Sequence, residues 1–146
     1  MNSPIIIFTY NRWEHLQTLI HSLKKNNLFS KSKIHVFSDG PKNENDKKKI
    51  EKIRLNLKKI LIPKNSEIIE RKSNIGLSKN VINGINQTFK IYEKAIILED
   101  DLEVSPFFLN YMNDALNLYA DNENVASISG YMYPIDPKKF SNDFFF

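Results

Sequence analysis

The chain has 146 residues, of which 41% are hydrophobic and 26% are charged, and it contains no cysteine. This length predicts one domain or a large part of one, with enough apolar residues for a real core. The absence of cysteine excludes disulfides, thiolate zinc sites and cysteine nucleophiles. The formal net charge of +4 is mildly basic, which suits an anionic ligand or an acidic membrane surface but specifies neither.

The sequence shows no targeting or membrane-spanning segment. The N-terminal apolar run, residues 5–8, is far shorter than a signal-peptide core. No stretch approaches the roughly 20 apolar residues that a spanning helix needs. We therefore expect a cytoplasmic protein, whose basic charge also permits peripheral association with the inner face of the membrane.

The hydrophobic pattern predicts strands that alternate with helices. Runs of β-branched residues indicate the strands, and apolar residues at helical spacing indicate the helices. In chain order we predict a strand over 4–9, a helix over 11–25, a strand over 33–41 that ends in a turn, a helix over 43–62, a strand over 66–74, a helix over 76–94, a strand over 94–101, a helix over 105–119 and a strand over 124–132. Asn11 and Glu14 have the spacing of a capping box for the first helix. The alternation predicts an α/β fold, with a mostly parallel, Rossmann-like sheet flanked by helices.

Polar residues follow each of the first four predicted strands. The carboxyl ends of parallel strands share one edge of the sheet, and ligands of such folds bind outside that edge. These residues are Thr9, Tyr10, Asn11 and Arg12 after the first strand, Ser38, Asp39 and Gly40 after the second, Arg71, Lys72 and Asn74 after the third, and Glu99, Asp100 and Asp101 after the fourth.

The acidic triplet Glu99, Asp100 and Asp101 is the strongest single signal. Adjacent carboxylates repel one another, so we expect a positive partner beside them. That partner is a Lys or Arg side chain or a divalent ion such as Mg²⁺ or Mn²⁺, which prefers carboxylate oxygen; solvation by water alone is the remaining alternative. An exposed acidic turn with no function is the competing interpretation.

Two further segments carry weaker signals. The Asp39-Gly40 pair is typical of a plain turn after a strand, although its carboxylate could also accept a hydrogen bond from a ligand. Gly76 precedes a helix, so helix N–H groups and Lys79 could face a phosphate, but a glycine there is more often a matter of geometry. None of the three histidines is predicted to be a ligand.

The order of these segments resembles a known family. "TYNR", then "SDG", then "SNIGLSKNVINGI" and then "ILEDD" resemble the nucleotide-sugar-binding half of GT-A glycosyltransferases, specifically family 2 and the GlcNAc-transferase I type. The resemblance covers nearly the whole chain. "EDD" stands where that fold carries its DxD motif, and Asn74, Gly76 and Gly84 fit a further family pattern.

The resemblance implies a metal-dependent transfer of a hexosyl or N-acetylhexosaminyl group from a nucleotide-diphosphate sugar, such as a UDP-sugar. The acceptor would be a hydroxyl of a carbohydrate or lipid-linked molecule, as in polysaccharide biosynthesis, and no nucleic acid is expected. The implied cofactor is Mn²⁺ or Mg²⁺. The implied donor-binding residues are Thr9 and Asp39 at the base, Tyr10 and Asn11 beside them, Arg71 near the base and phosphates, Asp100 near the ribose and sugar, and Lys79; the implied metal ligands are Asp101 and Glu99.

The resemblance leaves the catalytic base unknown. In that family the base and acceptor site follow the fifth strand, and here only Asp136 and Asp143 are candidates. We therefore expect residues 1–146 to be one donor-binding domain, cut before the acceptor half. A non-catalytic nucleotide-sugar-binding fragment and a metal-dependent nucleotidyltransferase of similar fold are the alternatives. A receiver domain fits less well, because its acidic pair should follow the first strand.

Overall fold

A computed structural model describes residues 2–61 and 65–131. It confirms the predicted alternation of strands and helices. The elements are β1 (Ile5–Thr9), α1 (Trp13–Lys24), a 3₁₀ turn (Phe29–Lys31), β2 (Ile34–Ser38), α2 (Glu44–Ile60), β3 (Ser66–Glu70), α3 (Leu77–Thr88), β4 (Ile96–Glu99) and α4 (Phe108–Leu118).

The four strands form one parallel sheet in the order β3-β2-β1-β4. Strands β2 and β3 lie on one side of β1, and β4 lies on its other side. The strand order therefore reverses between β1 and β4, which is the topological switch point where α/β proteins of this class bind ligands.

Helices cover both faces of the sheet because β1 is apolar on both. Ile5 and Ile7 pack into a core that includes buried residues of α1, α2 and α4. Ile6 and Phe8 pack on the other face with Phe37 and with apolar residues of α3. A strand buried on both faces is typical of parallel sheets, which agrees with the continuous apolar run of the sequence.

The predicted fifth strand is wrong within the described residues. Residues 125–131 form no strand, and part of this segment contacts α4. Ile128 packs against the main core, Tyr111 donates a hydrogen bond to the carbonyl of Ser129 at 3.3 Å, and the side chain of Phe108 fills the space beside Gly130. Side-chain contacts with α4 therefore hold this segment in place of backbone pairing.

Helix boundaries and one helix cap also differ from the sequence prediction, and α4 starts at Phe108 rather than at residue 105. Helix α3 ends at Thr88 instead of continuing to residue 94. The predicted capping box of α1 does not form, because Arg12 is the N-cap and no side chain caps it. Asp136, Asp143 and the aromatic triplet at 144–146 lie outside the described residues. Within the described ranges, no helix has both the length and the apolar character to cross a membrane.

Candidate functional site

A cleft of about 310 Å³ opens at the carboxyl edge of the sheet, beside the switch point. Four segments line it: the loop after β1, the loop after β2, the turn into α3 and the end of β4. Six of the predicted site residues lie on this cleft, namely Thr9, Tyr10, Asn11, Asp39, Glu99 and Asp100. Arg71, Lys79 and Asp101 do not line it. The common edge that the sequence predicts is therefore confirmed for most of these side chains.

Asp100 joins the end of β4 to the loop after β1. Its carboxylate accepts hydrogen bonds from the Thr9 hydroxyl at 2.9 Å and from the Tyr10 backbone N–H at 3.4 Å. The residue is only 3% exposed, so its charge requires such partners. Parallel pairing of β1 with β4 brings the two strand ends together, and Thr9 and Asp100 meet there.

Arg12 is the positive partner of the acidic triplet. Its guanidinium contacts Asp100, and its Nη1 lies 3.2 Å from Asp101 Oδ2. These carboxylates, Asp100 before Asp101, raise the pKa of Arg12 above its ordinary value. Glu99 is exposed and lines the cleft without a described ion pair. Among the described residues, Arg12 is thus the side-chain cation that pairs with Asp100 and Asp101.

Asp39 fastens two walls of the cleft to each other. One carboxylate oxygen accepts the N–H groups of Gly40 at 2.8 Å and Ile75 at 3.0 Å. The other accepts the Gly76 N–H at 3.1 Å and the Asn74 side-chain amide at 3.0 Å. A carboxylate has about four lone-pair sites, so these contacts use all of them. A ligand donor would have to replace one of these bonds.

Close backbone approach explains the glycine after Asp39. A Cβ atom on Gly40 would lie 2.3 Å from the carbonyl carbon of Ser73, so a side chain is excluded there. Gly76 has a φ of 84°, which is a conformation that favours glycine, and it begins α3 without a side-chain cap. No side chain caps this helix start, and Gly76 and Leu77 line the cleft beside it.

Asp46 is a site residue that the sequence analysis missed. It lies in the first turn of α2 and accepts hydrogen bonds from the Tyr10 hydroxyl at 2.6 Å and from the Asn11 amide at 2.8 Å. These two bonds, Tyr10 first, lower the pKa of Asp46. Burial, followed by the bond to Asp46, raises the pKa of Tyr10 to about 12. The Tyr10 phenol and the Asn11 amide are thereby held in place beside the cleft. Lys42 lies over the Tyr10 ring, with its Nζ 5.6 Å from the ring centre.

Arg54 on α2 is a second residue that the sequence did not reveal. It donates hydrogen bonds to the backbone carbonyls of Ser38 at 3.2 Å, Asp39 at 3.2 Å and Arg71 at 2.9 Å. It also contacts Glu70, with Nη1 and Oε2 3.5 Å apart. One guanidinium therefore joins the carboxyl ends of β2 and β3 beneath the cleft.

Arg71 reaches the cleft only through a neighbour. Its Nε donates to the Asn80 side chain at 3.3 Å, and Asn80 lines the cleft. Its guanidinium lies over the Phe37 ring, and its Nη2 is buried without a hydrogen-bond partner among the described residues. Lys79 is exposed on the first turn of α3.

The acidic triplet fits a hard divalent ion in its donor chemistry. Asp101 is 43% exposed at its side chain, so its carboxylate can take an additional ligand. Mg²⁺ commonly uses one or two protein carboxylates with substrate phosphates and water. Within the part of the chain that the structure describes, no cluster of three or more acidic, histidine or cysteine side chains could hold a metal alone. A metal here would need oxygen atoms from a ligand.

The fold and cleft define an α/β protein that binds its ligand at the carboxyl edge of a parallel sheet. The family model described as Glycosyl transferase family 2 matches residues 5–141. The chain belongs to this family, and it is therefore a glycosyltransferase domain. No curated protein matches the chain.

Proposed function

We propose that this domain binds a nucleotide-diphosphate sugar, most simply a UDP-sugar, in the cleft at the switch point. The family match supports sugar transfer, and the cleft supports donor binding because it combines an aromatic ring, hydrogen-bonding groups and an uncapped helix start. The observation that carries the proposal is the convergence of Thr9, Asp39 and Asp100 on one cleft in a family 2 chain.

The cleft divides into parts suited to different pieces of such a donor. Tyr10 lies on the cleft with its hydroxyl held by Asp46, and its ring offers a base the face that Lys42 does not cover. Asp39 and Asn74 offer polar groups beside it. The uncapped start of α3 suits phosphate oxygens, because the positive end of a helix dipole favours anions.

Asp101, with Glu99 beside it, is the proposed holder of Mn²⁺ or Mg²⁺. A bound divalent cation would supply Lewis-acid stabilisation of the charge that develops on the leaving diphosphate. Asp100 is proposed to lie near the ribose and sugar, and its bonds to the loop after β1 hold Thr9 and Tyr10 in place on the base side of the donor. We assign no residue to deprotonation of the acceptor, and a hexosyl or N-acetylhexosaminyl group is equally compatible with these roles.

Calorimetric titration of UDP, CDP and pyrophosphate tests the proposal. With Mn²⁺ present, we expect UDP to bind more tightly than pyrophosphate, because only UDP reaches both the base and phosphate parts. Replacement of Mn²⁺ by a chelator should weaken UDP binding. Equal affinity under both conditions would remove the metal from the proposal, and no UDP binding under either would remove the UDP donor.

Variants at two aspartates distinguish metal binding at Asp101 from the general effect of removing one negative charge. Asp101→Asn should abolish the Mn²⁺ enhancement of UDP binding while leaving metal-free binding intact. Asp114→Asn is the matched control, since Asp114 is an exposed acid on α4. The non-catalytic alternative is tested with the same samples, because release of UDP from a UDP-sugar requires turnover whereas titration requires only binding.

A further inference from the structure

Arg12 contacts the acidic triplet in a way that the family resemblance does not explain. Its guanidinium spans the carboxylates of Asp100 and Asp101, and it also lines the cleft. The two carboxylates differ greatly in burial: the side chain of Asp100 is 4% exposed and that of Asp101 is 43% exposed. Arg12 therefore pairs with a buried carboxylate, Asp100, and with a solvent-accessible one, Asp101.

A guanidinium and a divalent cation beside the same pair of carboxylates compete for their negative charge. Both are attracted by the charge of Asp100 and Asp101, and they repel one another at short range. Asp100 keeps two other donors, Thr9 and Tyr10, but the only described ion-pair partner of Asp101 is Arg12. Asp101 is thus the carboxylate at which exchange between Arg12 and a metal costs least.

The Arg12 side chain can move away from Asp101, and a bound diphosphate would provide it with other acceptors. Its side chain is 46% exposed, so rotation away from Asp101 does not disturb the core. A diphosphate in the same cleft offers oxygens that match the guanidinium fork in pairs. Arrival of an anionic ligand would therefore provide Arg12 with new acceptors while the ligand oxygens complete a metal site at Asp101.

We propose that Arg12 is an internal counter-ion that weakens metal binding at Asp101 until a diphosphate engages it, so that metal binds together with the diphosphate rather than alone. This inference rests on the proposed function, since it concerns the same carboxylate. In this role Arg12 makes the metal affinity of Asp101 depend on bound diphosphate. This role is separate from any contribution of Arg12 to donor affinity.

Mn²⁺ titration without any nucleotide tests this directly, with calorimetry and water-proton relaxation as readouts. Removal of the competing charge in Arg12→Gln should tighten Mn²⁺ binding by about tenfold or more. Lys24→Gln, an exposed change in the last turn of the same helix, should leave Mn²⁺ binding as in the unaltered chain. The proposal is overturned if folded Arg12→Gln binds Mn²⁺ no more tightly than the Lys24 control.

A second variant covers failure of Arg12→Gln to fold, which is a risk because Asp100 is buried. Arg12→Lys keeps one positive charge but lacks the fork that reaches two carboxylates, so Mn²⁺ binding should tighten to a smaller extent. Identical Mn²⁺ affinity in Arg12→Lys and the unaltered chain would contradict the proposal. Mn²⁺ that fails to bind the unaltered chain even with UDP would instead overturn the metal part of the proposed function, and this inference with it.

Discussion

Replacement of Asp39 by asparagine should loosen two walls of the cleft at once. In the native chain the carboxylate accepts four hydrogen bonds, two at each oxygen, and the residue is 4% exposed. Asparagine offers one acceptor oxygen, so its amide nitrogen would face donors. If the oxygen keeps Gly40 and Ile75, then the Gly76 N–H and the Asn74 amide lose their acceptor.

The cost follows from the donors that are left without a partner. A donor left unsatisfied in a buried place costs about 1–3 kcal/mol, and the Asn74 amide can keep its second acceptor, the Gly40 carbonyl at 3.1 Å. We therefore expect a loss of about 2 kcal/mol in the free energy of unfolding. For a chain of this length that loss corresponds to a fall of roughly 4–8 °C in Tm.

Thermal unfolding followed by circular dichroism measures this effect, with Asp121→Asn at an exposed turn as the control. An unchanged Tm in Asp39→Asn would refute the reasoning.

Titration of the same variant with UDP and pyrophosphate tests the second role of Asp39, as a hydrogen-bond acceptor for the base. If it accepts a base N–H, then UDP affinity should fall by about tenfold or more, as for a charge-assisted bond, while pyrophosphate affinity changes less. Equal losses for both ligands would leave Asp39 with a structural role only.

Three further changes test other contacts of the site. Phenolate absorbance should show Tyr10 titrating near pH 12, and Asp46→Asn should lower this pKa only in part, because burial is the larger cause. The raised pKa means that the stabilisation from the Tyr10 bond is present below the ordinary tyrosine pKa of about 10 and is lost as pH rises through about 12. Arg54→Met should lower the free energy of unfolding by about 2–4 kcal/mol, since it removes the side-chain donor to the Asp39 and Arg71 carbonyls, whereas the Ser38 carbonyl keeps the Arg71 N–H at 3.0 Å. Gly84→Ala should cost about 1–3 kcal/mol, because its Cβ would lie 2.5 Å from the Phe8 ring.

Each of these three has an outcome that contradicts it. An Asp46→Asn chain whose Tyr10 titrates as in the native chain would remove the coupling between these groups. Lys52→Met, at an exposed lysine of the same helix, is the control for Arg54→Met, and equal stability of the two would contradict the role of Arg54. Urea unfolding that shows Gly84→Ala at native stability would mean that the Phe8 ring moves aside without cost.

Much of the fold could be predicted because the strands and helices follow from the spacing of apolar residues along short segments. The apolar runs fix β1 and β4, and helical spacing fixes the four helices to within a few residues. The strand prediction at 124–132 failed within the described residues, where Ile128 packs against the main core and the Ser129 carbonyl accepts a bond from Tyr111 of α4. A pattern of apolar residues states that a segment is partly buried, but it does not state which neighbour covers it.

The site was predictable where it depends on position along a strand. Thr9, Asp39 and Asp100 share an edge because parallel strands end there together. Asp46 and Arg54 could not be found in this way, since their partners lie on loops brought close by the fold. Asn11 illustrates the same limit: its spacing to Glu14 predicted a cap for α1, but its amide bonds to a carboxylate 35 positions away.

The four bonds of Asp39 also determine how a ligand would meet this wall of the cleft. The Gly40 turn and the segment 74–76 are already joined before binding, so little conformational entropy remains for these loops to lose. A ligand would therefore encounter a preorganised template on this side. Discrimination between ligands here should come from the fit of a rigid surface, and any induced closure should be confined to the other segments of the rim.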